Sequence, residues 1–343
     1  MPDIFSRSRH LGSILVAWVF CLQPWQAVTA ETAPVLRPQL VLAGPPASVS
    51  YPLIHMLESG ALNDLAQRVE FVLWSNPDQL RAQVIGKQAD FIAAPSNVAA
   101  NLYNRGAAIQ LLNVSTWGSL WMVSRNPGMR SLADFKGQEV ALPFRADMPD
   151  ILFSYLAEQQ GLNPQKDMRL RYTATPLDAL QLLVLRQVDH ALLVEPAVSM
   201  ALRKTRSFPL SVVAPELYRS VNLQQQWGAL HGNQARIPQA GLAALGNVRL
   251  DAQLTQRVAQ AYEQSNAWCF DHPQACAQMV ARHIPLLSAE AVADSLRVLP
   301  RDYASAAQAR PELEALFQIL LQRQPASIGG KLPTVGFYAS ERE

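Results

Sequence analysis

Two stretches of this chain, 99 residues apart, follow one plan, and that repetition limits the folds open to it. Take "LRAQVIGKQADFIAAPSNVAA" and "ALQLLVLRQVDHALLVEPAVS": Lys87, Gln88 and Asp90 fall on Arg186, Gln187 and Asp189. In each copy an amphipathic helix runs into a basic residue and Gln, an apolar strand follows the Asp, and a helix starts near a proline. Upstream, "PPASVSYPLIHMLESGAL" matches "PFRADMPDILFSYLAEQQGL", with Pro52 and Pro149 each placed for the first turn of a helix. Pro52 precedes Asp90 by 38 residues, and Pro149 precedes Asp189 by 40. The repeat predicts two lobes built on the same βαβαβ plan.

The segments between these landmarks agree. "QLVLAG", "VEFVLWS", "DFIAA" and "IQLLNVS" are strand-like runs alternating with helical stretches, and "QEVALP", "MRLRYTA", "DHALLV" and "LSVVAP" repeat the rhythm. Such alternation predicts an α/β fold in which each lobe is a mostly parallel sheet flanked by helices, with a ligand cleft between the lobes. From Asp251 onward the pattern changes to successive helices, expected to pack back on the first lobe and make it discontinuous. The expected division is residues 31–122 in lobe 1, 123–225 in lobe 2, and 226–343 returning to lobe 1. Hinges are expected at 116–130 and 214–238.

The N-terminus reads as a leader. Arg7, Arg9 and His10 precede an apolar run, Leu11 to Leu22, too short to cross a bilayer comfortably, and Val28, Thr29 and Ala30 supply small residues for cleavage. Cys21 follows Trp18, Val19 and Phe20, which are too bulky for lipoprotein processing. Cleavage after Ala30 leaves 313 residues (343 minus 30), enough for two domains with their own cores. It removes Arg7, Arg9 and Asp3, so the formal charge falls from +2 to +1. That balance gives no general pull toward nucleic acid or anionic membranes. A periplasmic or extracellular location is expected, and a monomer.

Cys269 and Cys276, in "NAWCFDHPQACAQM", remain after cleavage. His272 and Pro273 are placed to break one helix and start the next, so the two thiols could face each other across a corner and pair in an oxidising compartment. Zinc is the alternative, with His272 and His283 as further ligands, but no CxxC or HxxxH spacing accompanies them. No cofactor is expected.

The order "SLADFKGQEVALPFRADMPDILFSYLAEQQGL", "TPLDALQLLVLRQVDHALLVEPAVSMALRK", "AWCFDHPQACAQMVARHI" and "IGGKLPTVGFY" resembles the periplasmic substrate-binding proteins of nitrate/taurine-type ABC importers. It is also similar to the proteins that handle thiamine pyrimidine precursors. The resemblance spans nearly all of the mature chain, through loose motifs in a fairly specific order. It implies a two-lobed clamp that closes on a small polar organic molecule, an amine, zwitterion, sulfonate or heterocycle, and delivers it to a membrane permease with a cytoplasmic ATPase.

In such sheets the ligand belongs at the carboxyl ends of the strands, where helix N-termini point amides into the cleft. The turns so placed contribute Pro46, Ser48 and Ser50, then Ser96 and Asn97, then Phe144, Arg145, Asp147 and Met148, with Thr175 and Glu195 at two later strand ends. Trp117, after "IQLLNVS", sits where an aromatic lid would lie. Plainer roles compete: Ser48, Ser50, Ser96 and Asp147 can be helix caps, and Trp117 and Phe144 can be core. Glu195 stands opposite Ser96 in the repeat and needs a cationic partner, either the ligand or Arg145. If Asp147 and Glu195 both face the ligand, an amine, zwitterion or protonated heterocycle fits better than nitrate or sulfate.

Two other classes stay open. The fold implied by the resemblance also carries lyase-like and desulfinase enzymes, and Asp147, Asp150 and Glu195 could form an acid pair. Against catalysis, there is no GxSxG elbow, "IGGK" lacks the upstream glycine of a phosphate loop, and the histidines are scattered. A ligand-sensing domain for a membrane partner differs from an importer's binder only in that partner.

Overall fold

The computed structural model describes residues 36–208, 212, 216–232 and 235–340. The expected leader, Met1 to Ala30, lies outside the described residues. No helix among the described residues is long and apolar enough to cross a membrane.

The described residues build two main sheets of the same order. The first contains β1 (Leu40–Gly44), β2 (Val69–Leu73), β3 (Phe91–Pro95), β4 (Ile109–Leu111) and, after β5 (Asn113–Val114), which lies in a separate two-stranded sheet, the short β6 (Thr116–Trp117). The second contains β7 (Leu120–Ser124), β8 (Glu139–Pro143), β9 (Arg169–Thr173), β10 (His190–Val194) and β11 (Tyr218–Asn222). The chain then returns through β12 (Pro238–Leu245), and β13 (Ala304–Ser305) pairs with β5. Strand order is β2-β1-β3-β12-β4 in one sheet and β9-β8-β10-β7-β11 in the other. In each, three parallel strands end on an antiparallel one that has crossed from the other side: β12 beside β3, β7 beside β10.

The repeat survives at the level of single residues. β1 and β8, β3 and β10, and the helices α2 (Pro77–Ile85) and α6 (Pro176–Val184) are each related by the offset of 99. Both helices are stopped in the same way. Lys87 and Arg186 adopt left-handed φ of 53° and 59°. Gln88 N–H then reaches back to Gln83 O at 3.0 Å, and Gln187 N–H to Leu182 O at 2.9 Å. This is the six-to-one closure of a Schellman end. It turns the chain directly into β3 or β10, whose apolar residues are buried because both faces are covered.

The next helices in the two lobes are α1 (Tyr51–Glu58), α3 (Ser96–Asn104), α4 (Met148–Gln159), the single turn α5 (Pro164–Asp167) and α7 (Ala197–Arg206). The C-terminal helices pack on more than the first sheet's side. Helices Ala252–Asp271 and Pro273–His283 lie on α1, while Ala289–Val298 rests on α7, where Arg203 pairs with Asp294. One apolar cluster accordingly joins Ile54 of α1, Leu183 and Val198 of the second lobe, and Val280 and Leu296 of these helices. Cys269 and Cys276 form a disulfide across the corner between two of them, with Cα atoms 5.1 Å apart. The histidines of the zinc alternative are engaged elsewhere: His272 with the Trp268 carbonyl, His283 with Glu58.

Candidate functional site

A cavity of about 410 Å³ lies between the two sheets. Its wall is made from the carboxyl ends of parallel strands: Pro45 to Val49 after β1, Trp74 and Ser75 after β2, Pro95 and Asn97 at β3, Phe144 after β8, Thr175 after β9, and Glu195 after β10. The antiparallel crossovers reach the same place by their beginnings, Ser119 and Leu120 at β7 and Gln239 and Ala240 at β12. Parallel order forces this convergence, because every β-to-α turn opens on one edge of the sheet.

On the first lobe the turn after β1 is tight. The Ser50 hydroxyl donates to Pro45 O at 2.7 Å, and a Cβ on Gly44 would lie 2.2 Å from its oxygen, so a side chain there would have to push that hydroxyl off its bond. Ser50 therefore braces the turn from behind and lies outside the cavity wall, whereas Pro46 and Ser48 are in it. Ser48 Oγ lies 3.3 Å from Thr116 Oγ1. Ser96 is likewise a brace: its hydroxyl donates to Pro238 O at 2.6 Å and ties the start of α3 to β12. Asn97 is in the wall and crosses the cleft, its Nδ2 donating to Asp147 Oδ1 at 2.6 Å.

On the second lobe, "FRADM" forms a strained turn. Phe144 and Ala146 both have φ of 59°. A left-handed non-glycine residue costs roughly 1–2 kcal/mol. Compensation comes from Asp150 Oδ2, which accepts the Ala146 amide at 2.8 Å, and from Asp147 Oδ1, which caps α4 through the Met148 amide at 2.7 Å. Burial holds the Asp150 carboxyl above the usual range, opposed by the Ala146 amide, the Tyr172 hydroxyl and Arg145. Phe144, Asp147, Met148 and Thr175 line the cavity, and Thr175 also caps α6 in a capping box with Asp178. Arg145 does not line it: its guanidinium lies over the Tyr172 ring, 5.1 Å from the centroid.

Glu195 has a protein partner, and that partner is Arg219 on β11, not Arg145. Arg219 Nη2 and Nε donate to Glu195 Oε1 at 2.6 and 3.2 Å. Glu195 Oε2 accepts from the Ser199 amide and hydroxyl at 3.1 and 2.8 Å. With 0 % of its surface exposed, the carboxylate is fully committed inside the protein and forms part of the wall by its bulk. Trp117 is also internal. It is 1 % exposed and lies outside this cavity, its ring beneath the Arg236 guanidinium at 3.9 Å, and Arg236 in turn pairs with Glu312 and Asp302.

Some wall residues were not singled out from sequence. Trp74 follows from the same carboxyl-end rule applied to "VEFVLWS", so its signal was present. Gln239, Leu286 and Leu287 carry none, because an antiparallel strand start and a helix–helix loop are brought there only by the tertiary fold. Among the described residues, no lysine, arginine or histidine lines the cavity, and eight prolines do.

No protein-family model matches the sequence, and no curated protein matches it. Solved structures do. An ABC transporter from Parabacteroides distasonis superposes with a TM-score of 0.72 at 22% identity over 89% of this chain and 100% of that one. The ligand-binding component of an ABC-type import system from Staphylococcus aureus, with zinc bound, gives 0.67 at 14% identity, covering 89% and 97%. The periplasmic aliphatic sulphonate binding protein SsuA from Escherichia coli gives 0.62 at 16%, covering 89% and 95%. The chain therefore has the two-lobed fold of the periplasmic ligand-binding proteins of ABC importers.

Proposed function

We propose that this chain is the extracytoplasmic solute-binding component of an ABC importer, exported by removal of Met1 to Ala30 and working in the periplasm. It captures a small organic molecule between its lobes and hands it to a membrane permease with a cytoplasmic ATPase. The observation that carries this reading is the cavity itself, walled by equivalent strand ends from both repeats. Its 410 Å³ lies toward the lower part of the usual range for ligand pockets. Asn97, Asp147, Phe144 and Thr175 are the residues proposed to meet the solute. The crossovers from β6 to β7 and from β11 to β12 are the proposed hinges.

The proposal assigns no catalytic step. The acid pair that sequence allowed is split, since Glu195 is held by Arg219 and Asp150 by the Ala146 amide and Tyr172. Exported protein should release one small compound on denaturation, detected by mass spectrometry, and rebind it in calorimetric titration without turning it over. Its intact mass should correspond to cleavage after Ala30. Steady conversion of the compound would replace the transport reading with an enzymatic one.

A further inference from the structure

Resting on the solute-binding reading, we propose that the ligand is an organic cation, an apolar body with a positively charged nitrogen that meets the Asp147 carboxylate. Oxyanions are excluded. Among the described residues three acids line the cavity, Asp147, Asp178 and Glu195, and no basic side chain does. Glu195 is neutralised by Arg219, and Asp178 lies exposed with Oδ2 accepting from Thr175 N–H and Oγ–H. Asp147 differs. Its Oδ1 takes the Asn97 amide and the Met148 N–H, and no described residue donates to Oδ2, on a side chain that is part of the cavity wall. Arg145, two residues away, turns its charge over Tyr172. A carboxylate in a mostly apolar wall is costly until a cation joins it.

Helix N-termini usually favour anions, but here five of their first-turn amides are already taken by side chains. Asn76 accepts from Asp78 and Gln79, Asp147 from Met148, Thr175 from Asp178, and Glu195 from Ser199. Pro77, Pro149 and Pro176 remove further donors from first turns. The turns beginning at Ser48 and Ser96 have no side-chain cap, and their amides suit a neutral acceptor on the same ligand. Trp74 and Phe144 add aromatic surface to the wall, which organic cations favour.

Calorimetric titration of refolded, ligand-free protein with matched probes tests this. Benzylamine, cyclohexylmethylamine and benzyltrimethylammonium are set against benzoate, cyclohexanecarboxylate and benzenesulfonate. The cations should bind and the acids should not. Asp147→Asn keeps the α4 cap and should weaken cation binding about ten- to a hundredfold, the loss of one charge-assisted bond. Asp147→Ser, also a good cap, should do the same with the melting temperature of the free protein held. Binding of the acids instead, or cations bound equally well by Asp147→Asn, overturns the cation assignment and leaves solute binding intact. If neither set binds, the compound released by denaturing exported protein decides: a cation supports the assignment, a neutral or acidic one overturns it. No binding and no released compound would overturn the solute-binding reading as well.

Discussion

Arg219 and Glu195 form the most consequential pair in the second lobe, because one partner is fully buried and the other half-shielded under Trp121. Taking away one member of such a pair leaves a charge without compensation, which costs about 3–5 kcal/mol. Arg219→Ala should therefore lower unfolding stability by that amount in urea titration. Glu195→Gln removes the charge and keeps an acceptor for Ser199, so its cost should be smaller, about 1–3 kcal/mol. Equal losses from both variants would mean that the Ser199 contacts contribute nothing. Asp150 runs the other way. Burial raises its carboxyl above the ordinary range, so its contribution is fully favourable below the unfolded value and is lost as pH rises through the folded one. Asp150→Asn should thus raise the melting temperature at pH 7, with the gain vanishing below about pH 4.

At the scale of elements, the repeat in sequence translated into structure wherever a turn is closed by its own residues. "GKQAD" and "LRQVD" share a helix stop that needs only local hydrogen bonds, so α2, β3, α6 and β10 were legible, and with them the wall positions Asn97, Phe144, Asp147 and Thr175. Arg219 was not legible as the partner of Glu195, since β7 separates their strands and nothing local fixes that order. Ser50, Ser96 and Trp117 stand at strand ends that the sequence pattern marks, but which way each side chain faces depends on packing from Gly44, Pro238 and Arg236. The disulfide is a second local device. It closes a loop of seven residues' separation between two helices, and loop-closure entropy gives such a link roughly 2–3 kcal/mol. Replacing both cysteines by Ala should cost that much in denaturant, and full stability in the double variant would show that packing of the helices alone suffices.

For the molecule as a whole, three histidines, His55, His190 and His231, are each held below their usual pKa by burial. The unfolded chain takes up protons at its ordinary histidine value, so the histidines' contribution to stability should fall as pH drops below about 6.5 and level off below their folded values. His190 accounts for part of this, wedged against Ser124 and the Phe135 ring. Its counterpart in the repeat is Phe91. His190→Phe should flatten the decline in melting temperature between pH 7 and 5, and an unchanged slope would assign the effect to the other two.

β3 lies in the middle of its finished sheet, yet the strand that covers its far edge, β12, is encoded only after the whole second lobe. As the chain emerges from a ribosome or a translocation channel, the second lobe can complete all five of its strands before residue 238 arrives. The first lobe cannot. Until then β1, β2 and β3 form a half-built ribbon with an apolar edge open to any passing strand, the arrangement that invites misassembly. The order of synthesis thus makes the older-emerging half of the protein the later one to mature. Chaperone protection during biogenesis is needed most by a segment that has already left the machine that made it.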